Sequence, residues 1–297
     1  MKITGFDVTK VRVPAKGNYQ MARGTHDSLR TVVVRLYTDK GIVGVGDAHQ
    51  GVEGYTAETI DTMHTIIASV YGPALIGRDV QAVEAIHADL TDARMGNLFA
   101  RCAVELALFD ALAKFHELGI TELLGGPVRK QLKLVGGMGI ASPEQMADQA
   151  KKMVSAGYKT LKIKIGRPNI QEDLTCIKAV RDRVGDDISI RVDANAAYNL
   201  VDALIVARGC ADVGVEHLEQ PVAKDDIDGM VRVRQLGAVA ILADESVHTA
   251  EDAYRIIKVG GADAIKIKIS KVGGYINARK IIDICEAAGM RVFLGQG

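Results

Sequence analysis

From about residue 131 onward the chain reads as a strict alternation of short apolar strands and amphipathic helices, and few folds accept that pattern. Strand-like runs lie at 132–135, 160–165, 189–193, 214–219, 241–244, 264–268 and 291–294, with helical patterns at 143–156, 170–184, 200–208, 227–236, 250–259 and 275–288 between them. The strands recur every ~25–30 residues, the length of one βα unit, so this is a repeat architecture. Parallel strands with helices between them suit a closed (β/α) barrel better than an open sheet. No glycine-rich G-x-G-x-x-G follows a strand, which argues against dinucleotide binding. The expected class is therefore α/β, a TIM-like (β/α)7β barrel over residues 129–297. The chain stops at Gly297, just after the seventh strand. The last barrel strand and a C-terminal cap segment are thus expected to be missing from it, unless another segment closes the barrel.

The first 128 residues follow a different grammar. Residues 2–13 alternate loosely up to Pro14, and 15–30 read as a mobile loop carrying Gly17, Asn18, Gly24 and Ser28. The β-branched run 31–38, a turn at Asp39-Lys40-Gly41 and the return at 42–46 make a hairpin. Helical periodicity follows at 56–70, 81–92 and 98–117. Three strands and then three helices make an α+β unit. His26 and His49 fall in its loops and read as surface histidines.

Composition excludes several classes of function. Acids and bases balance at 37 each, which gives no electrostatic case for nucleic acid or an anionic membrane. No apolar run approaches the ~18 residues that span a bilayer, and the N-terminus lacks a signal-peptide core. Cys102, Cys176, Cys210 and Cys285 are scattered without a C-x-x-C pair, which predicts buried, reduced thiols in a cytoplasmic protein.

The chemistry lies at the strand ends. Leu161-Lys162-Ile163-Lys164-Ile165-Gly166 alternates so that both lysines share one face, and Ala264-Ile265-Lys266-Ile267-Lys268 has the same form. Two ammonium groups on one face of a core strand are costly unless something uses them. Between the two runs, three strands end in Asp193, Glu219 and Asp244. Any one of these acids alone reads as a helix cap. Five charged residues in order on five successive strands do not. In a barrel, such ends form the active site. Three converging carboxylates repel unless a cation neutralises them, and an all-oxygen set points to Mg²⁺ first and Mn²⁺ second. A substrate carboxylate there would have its enolate charge stabilised, while Lys164 and Lys268 exchange a proton from opposite faces. Lys162 and the cation are expected to lower the pKa of Lys164.

Together these residues resemble the enolase superfamily, and within it the muconate-lactonizing-enzyme (mandelate racemase/muconate cycloisomerase-like) subgroup. The resemblance rests on Lys162-Ile163-Lys164, Asp193-Ala194-Asn195, Glu219-Gln220-Pro221, Asp244-Glu245-Ser246, and Lys268 followed by Lys271-Val272-Gly273-Gly274. Leu123-Leu124-Gly125-Gly126 at the junction and the N-terminal region are also similar. The resemblance implies that Asp193, Glu219 and Asp244 bind Mg²⁺ and that Lys164 and Lys268 are the acid/base pair. Lys162 would assist Lys164 or contact the substrate carboxylate, and Asn195 and Glu245 would support the metal ligands. Residues 1–128 would cap the barrel, the loop near 15–30 would close over the substrate, and the protein would be a homo-oligomer, often an octamer.

The expected function is Mg²⁺-dependent removal of the proton α to a small-molecule carboxylate through an enolate. Both muconate cycloisomerisation and racemisation or epimerisation of an amino-acid derivative fit. A Schiff-base aldolase using Lys268 is the rival enzyme class. A barrel that has lost activity and serves as a binding or structural protein is the non-enzymatic rival.

Overall fold

The computed structural model describes residues 1–22, 24–50 and 56–295. Strands β1 (Ile3–Met21), β2 (Gly24–Thr38) and β3 (Val43–His49) form an antiparallel sheet in that order. Pairing of β1 with β2 runs from Ile3↔Thr38 to Met21↔Gly24, with irregularities between Ile3 and Gly5 and between Pro14 and Tyr19. The stretch 15–30 is therefore the outer half of a long hairpin rather than an irregular loop. Proline and glycine break the alternation there, but the two arms satisfy each other's backbone groups regardless. His26 sits in this arm; its side chain lies outside the described residues.

Helix α1 (Ile60–Ile66) begins at the capping box of Thr59 and Thr62, four residues later than periodicity suggests, and continues through a π turn (Ile67–Tyr71) into α2 (Gly72–Leu75). Then come α3 (Val83–Ala93), α4 (Leu98–His116) and α5 (Ile120–Leu123). Helix α4 lies directly on β3 because glycine makes room for it. A Cβ on Gly46 would stand 2.2 Å from the Ala103 carbonyl oxygen, and one on Gly44 would stand 2.1 Å from that of Ala107.

The second unit alternates as expected: β4 (Gly136–Met138), α6 (Pro143–Ser155), β5 (Thr160–Lys164), α7 (Ile170–Val184), β6 (Ser189–Asp193), α8 (Leu200–Asp212), β7 (Val215–Glu219), α9 (Ile227–Gln235), β8 (Ala240–Ala243), α10 (Ala250–Val259), β9 (Ala264–Ile267), the short α11 (Ile269–Val272), α12 (Tyr275–Ala287) and β10 (Arg291–Leu294). The strands pair in parallel, in chain order from β4 to β10. Ser142, Asn169, Asn199, Asp226 and Thr249 each cap the helix that follows β4 to β8 in turn.

The sheet is curled. Arg191 on β6 and Phe293 on β10 are four strands apart, roughly 19 Å in a flat sheet. Yet the guanidinium carbon lies 5.0 Å from the phenyl centroid. His217 on β7 meets the same ring at 5.1 Å. Outward residues such as Leu161, Ile163, Ile190 and Ile265 are fully buried against the helices. Inward residues are free to be polar.

The first strand of this sheet is not 132–135. Leu132 and Leu134 are 70% and 73% exposed. The strand is carried by Gly136-Gly137-Met138, where a Cβ on Gly136 would meet the Met153 sulfur at 2.8 Å. Close packing, rather than strand propensity, selects the segment that pairs. The four cysteines are buried and unpaired. Among the described residues no helix is long and apolar enough to cross a membrane.

Candidate active site

Period-two alternation puts Lys162 and Lys164 of β5, Arg191 and Asp193 of β6, His217 and Glu219 of β7, and Lys266 of β9 on the concave face. Asp244 and Lys268 continue the same parity one residue beyond β8 and β9. Register then aligns them across the sheet: Lys164 pairs with Asp193, and Asp193 with Glu219. All five expected residues are brought together and all are buried.

The contacts have a near-mirror arrangement about Glu219. The outer lysines meet the outer acids, Lys164 Nζ at 2.6 Å from Asp193 Oδ2 and Lys268 Nζ at 2.8 Å from Asp244 Oδ2. The inner lysines meet on the central acid. Lys162 Nζ donates to Glu219 Oε1 at 2.8 Å, and Lys266 Nζ donates to Oε1 and Oε2 at 3.1 and 3.0 Å. Lys162 also reaches Asp193 Oδ2 at 2.7 Å. It is thus clasped by two carboxylates rather than standing as a bare charge beside Lys164.

Asn195 and Glu245 sit behind this row. Asn195 Oδ1 accepts from Lys164 at 2.7 Å, and its Nδ2 donates to Glu245 Oε1 at 3.0 Å. Its backbone N–H donates to Asp193 Oδ1 at 3.0 Å. Asn195, Ala196 and Gln220, just past the ends of β6 and β7, hold φ of 46°, 60° and 37°, a costly region for residues with a Cβ.

Three residues that pattern reading did not assign also belong here. Lys266 was visible in the second K-x-K, but nothing in the sequence gave it a partner. Lys271 is wholly buried and donates to Asp244 Oδ1 at 2.9 Å and to the carbonyls of Asp244 and Lys266 at 2.5 and 2.9 Å. Gln220 accepts from the N–H groups of Asp244 and Ser246 at 3.0 and 3.1 Å, which ties the end of β7 to the turn after β8.

Burial and charge set the protonation states. Burial alone would raise Asp193 and Asp244, but Lys162 and Lys164 on one side and Lys268 and Lys271 on the other outweigh it, so both carboxyls are held well below their usual value. Burial would likewise lower Lys268; Asp244, Glu219 and Glu245 reverse this and hold it above the usual lysine value. Glu245 is pushed up to about 7, first by burial and then by Asp244 and Asp193. His217 is pushed down to about 3 by burial and by Arg191, so a neutral imidazole fills the floor.

Three buried carboxylates offer only oxygen, which suits a hard divalent cation. Among the described residues no three acids, histidines or cysteines stand close enough to ligate one ion as they are, because ammonium groups lie between the acids. Glu245 Oε2 is buried without a hydrogen-bond partner in the structure, the kind of orphan a nearby cation relieves. The donor chemistry therefore fits Mg²⁺.

A cavity of about 610 Å³ opens above the row. Its walls include Lys162, Lys164, Lys266 and Lys268, and Leu29, Arg30 and His49 from the first sheet. His49 is thus part of the cavity wall rather than a plain surface histidine. The hairpin joins the second unit through the Ile140 N–H, which donates to the Gln20 carbonyl at 2.9 Å.

Residues 145–297 match the model of the enolase C-terminal domain-like family, and residues 3–125 that of the mandelate racemase / muconate lactonizing enzyme N-terminal domain. The chain is 35% identical to the L-Ala-D/L-Glu epimerase of Bacillus subtilis, over 99% of this chain and 81% of that protein. It is 32% identical to a chloromuconate cycloisomerase of Cupriavidus necator, over 99% and 80%. Among solved structures, a dipeptide epimerase from Enterococcus faecalis complexed with Mg and the dipeptide L-Leu-L-Tyr superposes with a TM-score of 0.95 at 35% identity, covering 100% of this chain and 83% of that one.

Proposed function

This chain belongs to the mandelate racemase / muconate lactonizing enzyme group of the enolase superfamily, and we propose that within it the chain epimerises or racemises an N-acylated amino acid or a dipeptide. It is an isomerase whose chemistry begins with removal of the proton α to a carboxylate. The observation that carries the reading is the pair Lys164 and Lys268, each anchored on an outer acid, with the three carboxylates between them. Two bases on two sides of one carbon are what a 1,1-proton transfer requires.

Asp193, Glu219 and Asp244 would hold Mg²⁺. Bound there, the ion would supply charge against the developing enolate. Lys164 would remove the proton from one face and Lys268 would return one to the other, with the roles exchanged for the opposite stereoisomer. Lys162 would hold the substrate carboxylate side of the site positive. Asn195 would orient Lys164 through the 2.7 Å bond, and Glu245 would orient Asn195.

Cycloisomerisation of a muconate is the second reading, favoured by the match to chloromuconate cycloisomerases over 99% of this chain and 80% of theirs. A Schiff-base aldolase would use Lys268 alone and leaves the row Asp193, Glu219 and Asp244 without a role. The connected row of lysines and acids is more than a binding scaffold requires.

The test is deuterium incorporation in D₂O with Mg²⁺, with and without EDTA, across N-acyl amino acids, dipeptides and cis,cis-muconate. Metal-dependent exchange at an α-carbon with inversion is the expected result. Deuterated lactone from muconate would move the assignment to the second reading. Exchange untouched by EDTA would remove the metal from the proposal.

A further inference from the structure

Counting charge in the mouth gives an unexpected balance. Lys162, Lys164, Lys266, Lys268 and Lys271 are buried or nearly so, and the acids they meet are Asp193, Glu219 and Asp244. Even with Glu245 counted beside them, a site meant for a divalent cation holds more bases than acids before that cation arrives.

Lys266 accounts for the excess at the central acid. It is 9% exposed and lines the cavity, and its ammonium covers both oxygens of Glu219. Among the described residues it forms an ion pair with Glu219 alone, whereas Lys162 divides its contacts between Asp193 and Glu219. The backbone locks it in place from behind. The Gly295 N–H donates to the Ile267 carbonyl at 2.8 Å, closing that residue over the lysine. A Cβ at Gly295 would stand 2.3 Å from Lys266 Cε, so a glycine is what lets the side chain lie along the strand towards Glu219.

We propose that Lys266 is an internal competitor for the divalent cation: a positioning residue that occupies Glu219 and must yield at least one of its oxygens before the metal is held. This rests on the reading of Glu219 as a metal ligand. An ammonium and a divalent ion on one carboxylate repel each other over a few ångströms in a dry site. Metal uptake by the free enzyme is therefore weakened by Lys266, and a substrate carboxylate, by adding negative charge, favours uptake.

The experiment measures Mn²⁺ affinity by electron paramagnetic resonance, without substrate, in wild type, Lys266→Met, Lys266→Arg and Gly295→Ala. Lys266→Met removes the competitor and should tighten Mn²⁺ binding by about tenfold or more. Lys266→Arg keeps a cation on Glu219 and should bind as wild type does. Gly295→Ala pushes the lysine tip away and should tighten binding in the same direction, which covers the case of a poorly folding methionine variant. Loss of a purely structural lysine moves affinity the other way, since a loosened Glu219 holds metal less well. Unchanged or weakened binding in both Lys266→Met and Gly295→Ala, with wild type binding Mn²⁺, overturns the inference and leaves the metal site standing. No binding by any of the four proteins overturns both.

Discussion

Two groups of buried charge, one in each unit, are built differently. In the first unit, Glu58 accepts from the N–H groups of Phe99 and Ala100 at 2.8 and 2.9 Å. It thereby caps α4, whose own cap position, Asn97, makes no side-chain cap bond. Glu105 accepts from the Ile276 N–H at 3.0 Å and meets His87 Nδ1 at 2.6 Å, which fastens α4 to the start of α12. Each of these acids holds backbone N–H groups of another segment. In the curled sheet, Asp193, Glu219 and Asp244 meet chiefly ammonium groups. Backbone N–H groups cannot be exchanged for a ligand without unfolding something, but an ammonium can turn away. Glu58 and Glu105 are bonded to the main chain across elements, whereas the acids of the curled sheet are bonded chiefly to other charged side chains.

The sharpest way to break this comparison is to remove the mobile charge. Lys164→Met and Lys268→Met should each lower epimerisation by about 10²–10⁴-fold while the protein stays folded. Given separate stereoisomers in D₂O, each variant should retain exchange from one only, and from opposite ones. Loss of exchange from both stereoisomers in both variants would mean that the two lysines do not serve two faces.

The complementary change is Glu58→Ala. Two helix N-terminal N–H groups lose their acceptor, which should cost about 3 kcal/mol. Urea melts should show that loss, with turnover per folded molecule unchanged. A drop in turnover without a loss of stability would erase the distinction between the two regions.

The same distinction explains what could be read from the sequence. Lys162, Lys164, Asp193, Glu219, Asp244 and Lys268 were legible because period two and strand ends fix both face and level. The roles of Lys266, Lys271 and Gln220 were not, because their partners lie on other strands and curvature decides who meets whom. Strand β4 was hidden because Gly136-Gly137 carries no propensity signal and pairs for reasons of packing. The hairpin arms at 15–30 were hidden because their pairing is satisfied by backbone while the local residues favour turns. The α+β grammar of residues 1–128 shows three strands and then helices, but not that Glu58, ahead of α1, caps α4.

Glu245 gives the smallest and most discriminating test, since it stands between the two kinds of burial. One oxygen accepts from Asn195, and the other is buried without a partner. Burial, with Asp244 and Asp193, raises it from 4.5 to about 7. Between those values the folded chain keeps a proton that the unfolded chain has released, so stability falls as pH rises from 4.5 to 7. Asp193 and Asp244 act in the opposite sense. Their pKa values are depressed, so their contribution is present above 3.8 and is lost only on further acidification. His217 and His248, held by burial down to about 3 and about 4, also oppose Glu245 here, because the unfolded chain protonates them below 6.5 and the folded chain does not. The Glu245 contribution is therefore read as a difference: relative to Glu245→Gln, which cannot ionise, metal-free wild type in EDTA should lose about 1 kcal/mol per pH unit across the window. Urea melts of both proteins at pH 5, 6 and 7 measure that difference. A difference that does not change with pH makes Glu245 a fixed structural contact of the first kind.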